Sequence, residues 1–445
     1  MVSGRVSGRL VAGLAAAAVA VFAVVYLGTS PEASQPKDLA DDAAANEVGV
    51  TDTTVKIGFI VNEGGDEQFA GFYEAAGQQP NFLYGDEKRQ AQALVDDLNR
   101  RGGIAGRKVE AVIVGTGVFG AGYAQACAHL VEDERVFAAI TSETVALGRF
   151  AELANCFAGR RTPLLTTPLI NGDERFLEEV SPWYRTPSTL ADDRLWRILV
   201  PELQRQGYFD PGARVGLVVT IDPRMKRLAE EVVKPELAKI GVSVAAEYQH
   251  QTPGLGATLG VLSFKDKGIT HVLFVPAFEA SYLFLRDADR QQYHPRYALE
   301  SGYILEALLG FLPNIRPLGA TGIGWRPQFD VPDGGYPRMP AEERCFGVMR
   351  EAGIAVTARQ KPYPAAILCD NVWLFEAAAE KAGRALTRQS WLDALTSLGQ
   401  QPSAVAFGLN LSMGRPDAVS QYRRVVYDDS CRCFAYQGEL ITAPG

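Results

Sequence analysis

The sequence predicts an α/β protein with parallel sheets, arranged in two successive units. Residues Val136–Thr167 contain two apolar runs that flank apolar residues at helical spacing, which predicts one strand–helix–strand unit. From Tyr184 the alternation of strands and helices starts again and continues to Gly302. A chain of 445 residues is too long for one compact core, so we expect two domains after a terminal segment.

The composition and charge exclude several classes of function. Hydrophobic residues make up 47% and charged residues 22% of the chain, which is typical of globular proteins. A net charge of −8 and the absence of a basic stripe argue against a nucleic-acid partner. None of the six cysteines forms a CxxC pair, and the four histidines are scattered. The spacing of a zinc site is therefore absent, and we expect neither a metal nor another cofactor.

The N-terminus indicates export. Arg5 and Arg9 precede the uncharged segment Leu10–Leu27, a positive region followed by an apolar one. Its 18 residues lie between a long signal peptide and a short membrane span, so residues 1–28 are either a cleaved signal or a retained anchor. In both cases the arginines direct the rest of the chain outside the cytoplasm. Residues 29–54 have the composition of a disordered tether.

The first unit contains four predicted strands and three predicted helices. Its first helix ends at Gly102-Gly103, since glycine accepts the left-handed conformation that ends many helices. A long polar loop, Asn62–Lys88, precedes that helix and has the length of a functional loop. The predicted strands are Val55–Val61, Val109–Val114, Val136–Ile140 and Pro163–Leu165, and the predicted helices are Arg89–Arg101, Gly122–Glu134 and Leu147–Phe157.

The second unit repeats the alternation, and a helical region follows it. Its first helix contains Pro201, where we expect a bend. The predicted strands are Val215–Thr220, Val242–Tyr248, Thr270–Val275 and Arg296–Leu299, and the predicted helices are Leu190–Gln206, Met225–Ile240 and Glu279–Gln291. Residues Pro313–Met339 are loop-rich, and they are followed by predicted helices Ala341–Ala352, Ala365–Ala382 and Gln389–Leu398 and by a β-rich tail, Val405–Leu411 and Gln421–Tyr436.

Small hydroxyl residues follow two neighbouring strands of the first unit. Ser142 and Thr144 come after one strand, and Thr166 and Thr167 end the next. In open α/β sheets ligands lie beyond the carboxyl ends of the strands, where helix N-termini offer free N–H groups. The pattern predicts a site for a carboxylate or another small anion. The alternative is that Ser142 and Thr144 only cap the next helix.

Four segments, in order along the chain, carry a family resemblance. They are Asn99–Val114 (NRRGGIAGRKVEAVIV), Pro163–Pro168 followed by Tyr184–Asp193, Arg214–Val244, and Pro362–Gly383. Together they resemble the periplasmic leucine/isoleucine/valine-binding protein family, the type I solute-binding proteins of ABC importers. The resemblance covers about Thr53 to Gly438, and it depends on the ordered set of segments.

The resemblance implies two Rossmann-like lobes with parallel sheets, joined by a three-segment hinge, with a ligand held between them. The first lobe would comprise residues 55–186 and 320–403. The second lobe would comprise residues 187–319 and 404–438. The expected partners are a small-molecule ligand, an amino acid or related carboxylate, and the permease of an ABC importer.

The resemblance also implies roles for particular residues. In amino-acid-binding members, first-lobe hydroxyl and backbone groups hold the carboxylate of the ligand, and a second-lobe acid holds its ammonium group. Glu300, at a strand end of the second lobe, is the ammonium candidate, although it also fits a turn. Asp222 lies beside a cleft loop and also fits a helix cap, and Tyr363 fits either the cleft or ordinary packing. The ligand-binding candidates are Ser142, Glu143, Thr144, Thr166, Thr167, Asp222, Glu300 and Tyr363.

An even number of cysteines in an exported chain indicates disulfides. Cys127 and Cys156 lie on helices that flank the strand from Val136, and family members often have a bridge in this region, which implies their pairing. The other four cysteines leave three pairing schemes open; they are Cys345, Cys369, Cys431 and Cys433.

The function predicted from the sequence is capture of a small polar solute for import. A membrane-anchored sensor with the same lobes is the alternative. An enzyme is disfavoured, because the chain contains no GxSxG, HExxH or P-loop pattern.

Overall fold

A computed structural model describes residues 47–67, 70, 84–117, 120–144, 150–168, 172–251, 256–275, 278–356 and 363–445. The predicted signal or anchor, residues 1–28, and most of the predicted tether lie outside these residues. Within the described parts of the chain, no helix is both long enough and apolar enough to cross a membrane.

The first sheet has five parallel strands in the order β2-β1-β3-β4-β5. Inner strands such as Thr54–Asn62 and Leu164–Pro168 are mostly buried, because helices cover both faces of a parallel sheet of this kind, whereas the edge strand Lys108–Thr116 is partly exposed. The strands are β1 (Thr54–Asn62), β2 (Lys108–Thr116), β3 (Ala138–Thr144), β4 (Leu164–Pro168) and β5 (Tyr184–Arg185). The predicted parallel α/β unit is confirmed.

The second sheet has seven strands in the order β14-β13-β10-β9-β8-β6-β7. Five are parallel, and the last two strands of the chain extend the sheet in antiparallel orientation. They are β6 (Val215–Thr220), β7 (Val244–His250), β8 (His271–Val275), β9 (Arg296–Glu300), β10 (Thr321–Gly324), β13 (Gln421–Asp428) and β14 (Cys433–Thr442). The short pair β11 (Gln400–Gln401) and β12 (Leu409–Asn410) lies outside both large sheets.

The helices cover the two sheets. The long helix Tyr363–Ala382 packs against β3 and β4 of the first sheet. The α-helices are Glu87–Arg100, Tyr123–Ala128, Phe150–Gly159, Glu174–Glu179, Asp192–Arg205, Pro223–Leu228, Lys234–Lys239, Thr258–Asp266, Phe278–Arg290, Leu305–Phe311, Pro327–Asp330, Pro340–Glu351, Tyr363–Ala382 and Arg388–Thr396. The π-helical segments His129–Asp133 and Ala229–Val233 continue two of them.

The segment predicted to be loop-rich, Pro313–Met339, also contains a short strand and a short helix that the sequence did not indicate. Strand β10 was missed because its sequence is TGIG, in which glycines replace the usual branched residues. The neighbouring strand β9 requires glycine at position 322, because a Cβ atom added to Gly322 would lie 1.6 Å from the carbonyl oxygen of Leu299. Close backbone approach therefore selects glycine inside this strand.

The position of strand β10 changes where the chain can return from the second lobe to the first. It pairs with β9 in the second sheet, whereas residues 320–403 were expected in the first lobe. The helices from Pro340 onward pack on the first sheet side, and β13 and β14 return to the second sheet. The division into lobes stays a prediction, with the return to the first lobe moved beyond Gly324.

Three disulfides link the six cysteines. The pairing of Cys127 with Cys156 is confirmed, with Cα atoms 6.4 Å apart. The pairings that the sequence left open are Cys345–Cys369 and Cys431–Cys433.

Candidate functional site

The carboxyl ends of the two sheets face each other, and one buried arginine connects them. Arg326 lies two residues after β10, and its Nη2 donates to the carbonyl of Pro168, the last residue of β4, at 3.1 Å. Its Nε donates to the carbonyl of Ser188 at 3.2 Å, in the segment where the chain leaves the first sheet. Polar side chains at these strand ends therefore border one interior region.

Three hydroxyls of the first sheet are bonded within the protein. The hydroxyl oxygens of Thr141 and Thr166 are 2.6 Å apart. Ser142 accepts a hydrogen bond from Nδ2 of Asn62 at 3.2 Å, and Glu87 holds the backbone N–H of Asn62 at 2.8 Å. These groups rigidify the strand ends, and none of their side chains is exposed.

Thr167 differs from these residues. It is completely buried at the end of β4, and its hydroxyl has no hydrogen-bond partner. The carbonyl oxygen of the Asn371 side chain is also unpaired, while its Nδ2 donates to the backbone of Thr141 at 3.2 Å. A buried polar group without a partner costs about 1–3 kcal/mol, so a bound solute or an ordered water that pairs with these two groups would stabilise the protein.

The structure places Ser142 and Thr144 in a strand, whereas the sequence predicts that they stand at a helix N-terminus. Both residues belong to β3, and the next helix begins at Phe150. The backbone of Glu143 pairs with Thr167. The side chains of Glu143, Thr144 and Tyr363 lie outside the described part, so their roles stay predictions.

Glu300 ends β9 and is almost completely buried. Its carboxylate accepts a hydrogen bond from the N–H of Gly302, so it also organises the following turn, Ser301–Tyr303. Burial raises the pKa of the Glu300 carboxyl to about 7, and the neighbouring Asp330 adds to that rise. A nearby positive charge would favour the ionised form of this carboxyl.

Asp192 is a second buried acid that sequence reasoning missed. It begins the helix Asp192–Arg205, where an acid looks like an ordinary first-turn residue. One of its carboxyl oxygens is buried without a partner. Burial raises its pKa well above the ordinary value, and the charges of Asp193, Asp173 and Glu300 raise it further. Asp192 and Glu300 therefore lie close enough to interact.

Arg224 is another group that the sequence did not indicate. It follows β6, and its guanidinium lies over the rings of Phe150, at 5.2 Å, and Phe176, at 5.8 Å. Its Nη1 is buried without a partner. Only packing between the two sheets reveals this position, because in the sequence Arg224 is one of several charges on a helix.

Asp222 is a helix cap in the structure. Its Oδ1 accepts from the backbone N–H groups of Arg224, at 2.8 Å, and Met225, at 3.4 Å. The capping interpretation of the sequence is confirmed for this residue. A ligand-binding role for Asp222 stays a prediction.

Comparison with a family model places the chain among known proteins. Residues 83–419 match the model described as periplasmic binding protein. A comparison with curated protein sequences finds no match.

Solved structures share the fold. A fatty acid ABC transporter substrate-binding protein from Thermomonospora curvata superposes with a TM-score of 0.64 at 14% identity, covering 90% of this chain and 95% of its own. A branched-chain amino acid ABC transporter protein from Thermus thermophilus with bound valine gives 0.62 at 14% identity, covering 88% and 97%. A solute-binding protein from Rhodopseudomonas palustris BisB5 in complex with 3,4-dihydroxybenzoic acid gives 0.62 at 16% identity, covering 88% and 98%. At these identities the likeness establishes the fold alone.

Proposed function

Because this chain belongs to the periplasmic binding protein family, the solute-binding components of ABC transporters, we propose that it captures an amino acid or a related carboxylate between two lobes for an importer permease. Proteins of this family bind substrates for transporters outside the cytoplasm and are not enzymes. The proposal concerns the ligand, the place where it binds and the delivery step.

One observation carries the proposal: buried polar groups of complementary chemistry border the facing strand ends, and the Thr167 hydroxyl and one Asp192 carboxyl oxygen have no hydrogen-bond partner. On the first side the hydroxyl of Thr167 offers a hydrogen bond to a carboxylate. On the second side Asp192 and Glu300 have raised pKa values and would be stabilised by an ammonium group. The solutes named for the three similar structures share a carboxyl group, which supports an acidic ligand.

The test is differential scanning fluorimetry of the purified protein with a solute panel. The panel contains neutral, acidic and basic amino acids, 3,4-dihydroxybenzoate, a fatty acid and sugars. A solute at a hundred times its dissociation constant should stabilise the folded state by about 2.7 kcal/mol. Stabilisation by sugars alone, with no effect of any carboxylate, would contradict the proposal.

The site is tested with Thr167→Val. Removing the unpaired hydroxyl at the end of β4 should weaken binding of the carboxylate about tenfold by calorimetry. Thr162→Val is the matched control, since Thr162 is a buried threonine before the opposite end of β4 whose hydroxyl donates to the Arg160 carbonyl. Equal affinities of both variants and the wild type would show that the site lies elsewhere.

The anchored-sensor alternative requires that residues 1–28 remain attached. N-terminal sequencing of the exported protein tests it directly. A mature chain that begins after residue 28 excludes a sensor anchored by this segment, whereas an intact N-terminus supports it.

A further inference from the structure

Resting on the proposed function, we propose that Arg224 is a specificity-determining residue that receives a second acidic group of the solute. The solute class would then be the acidic amino acids, with the α-carboxylate at Thr167, the ammonium group at Asp192 and Glu300, and the side-chain carboxylate at Arg224.

The position of Arg224 fits this role. Its planar guanidinium lies over the aromatic rings of Phe150 and Phe176, which belong to helices on the first sheet side. Stacking on rings fixes the plane of a guanidinium and leaves its edge N–H groups available for a carboxylate. The buried Nη1 atom has no partner, although burial of such a donor is costly.

The protein's own acids leave this nitrogen unpaired. Asp222 lies 3.4 Å from Nε of Arg224, but the same carboxylate oxygen already accepts two backbone N–H groups. Asp173 and Asp193 are bound by Arg227, each at 2.8 Å, and so are not available to Arg224. Asp192 does not pair with this nitrogen either, because its Oδ2 and the Nη1 of Arg224 are both buried without a hydrogen-bond partner.

A solute carboxylate would complete the arrangement. It would pair with the unpaired N–H of Arg224 by a charge-assisted hydrogen bond, which is stronger than a neutral one. The neutral amide of glutamine or asparagine has the same shape but no charge, and its NH₂ group would face another donor. Arg224 should therefore discriminate between each acid and its amide.

The test is calorimetry of the purified protein with L-glutamate, L-glutamine, L-aspartate and L-asparagine. The wild type should bind one of the acids on the order of 100-fold more tightly than its amide. Arg224→Gln should reduce that ratio below about tenfold, and Arg224→Lys should restore part of it by keeping the charge. Lys226→Gln removes an exposed charge from the same helix and should leave the ratio unchanged.

The outcomes separate this inference from the function on which it rests. If neutral amino acids or monocarboxylates bind and Arg224→Gln does not alter their affinity, the second acidic group is refuted and the proposed function stands. If Arg224→Gln weakens acid and amide equally, Arg224 is a structural bridge and the inference is wrong. If no amino acid or carboxylate binds, the proposed function itself fails.

Discussion

Thr166 and Thr167 are adjacent and chemically identical, yet the structure gives them opposite environments. Successive residues of a strand point to opposite faces, so one hydroxyl meets Thr141 and the other meets no protein group. The sequence identified both threonines as site candidates. It could not separate them, because the partners of a side chain depend on which neighbouring strand lies beside it.

This difference predicts opposite effects on stability. Thr166→Val removes a partner from the buried hydroxyl of Thr141 and should lower the free energy of unfolding by about 1–2 kcal/mol. Thr167→Val removes an unpaired buried hydroxyl, so without solute the protein should be as stable as the wild type or more stable. Urea denaturation of both variants measures this. A clear loss of stability in Thr167→Val would mean that its hydroxyl has a structural partner.

The raised pKa of Glu300 predicts a pH-dependent affinity. Its folded pKa of about 7 lies above the ordinary value of 4.5, so the buried carboxyl is protonated in the free protein at pH 5. An ammonium group binds the ionised form, so binding should release a proton and strengthen as pH rises from 5 to 8. Calorimetry in buffers of different ionisation enthalpy detects the proton, and Glu300→Gln should abolish its contribution. An affinity of the wild type that does not change with pH would contradict the role of Glu300 in binding the ammonium group.

The raised pKa of Glu300 also makes the stability of the solute-free protein depend on pH. Stability should fall as pH rises, whereas the affinity for the solute should increase. Because the folded pKa is raised, the contribution of Glu300 is fully present below about pH 4.5 and is lost as pH rises through about 7. The solute-free wild type should lose on the order of 1–3 kcal/mol from this group across that range, and Glu300→Gln should lose less. Denaturant titrations at several pH values provide the comparison.

At the scale of elements, local sequence pattern was a good guide to the long strands and helices. Strands Thr54–Asn62 and Val215–Thr220 were predicted almost residue for residue, because buried parallel strands are continuous apolar runs. Strand β10 was missed because glycines at its close contacts remove the β-branched signal. Strand β3 continues beyond its predicted end at Ile140 to Thr144, through polar residues that carry no strand signal.

The disulfides should differ in how much each contributes to the free energy of unfolding. Cys127–Cys156 joins two helices across 29 residues, whereas Cys431–Cys433 closes a turn across 2 residues. In the loop-entropy model the first should contribute roughly 3–4 kcal/mol and the second roughly 1–2 kcal/mol. Paired Cys→Ala variants compared by urea denaturation test the order. A larger loss from the Cys431–Cys433 pair would refute the loop-entropy explanation.

At the scale of the whole molecule, buried polar groups hold the connecting segments together. Asp370, in the long helix, accepts hydrogen bonds from Ser188 at 3.0 Å and from the N–H of Ala404 at 2.5 Å, and it also binds the hydroxyl of Ser403. These partners lie in two different connections between the sheets. The family resemblance implied such a hinge, but no sequence pattern indicated which residues would join its segments.

Asp370→Ala should therefore loosen the connection between the lobes. It leaves several buried donors unpaired, so we expect a loss of about 2–4 kcal/mol and a larger radius of gyration by small-angle X-ray scattering. Asp393→Ala, which removes an exposed acid on another first-side helix, should change neither quantity. An unchanged radius of gyration in Asp370→Ala would show that other contacts hold the hinge.

The central claim is that a small acidic solute lies between the facing strand ends. A crystal structure of the protein grown with the most stabilising solute of the fluorimetry panel tests this claim most directly. We predict a solute carboxylate within hydrogen-bonding distance of the Thr167 hydroxyl, with second-side contacts from Glu300 or Asp192. A solute bound on the outer surface, or one that contacts residues of a single lobe only, would contradict the account.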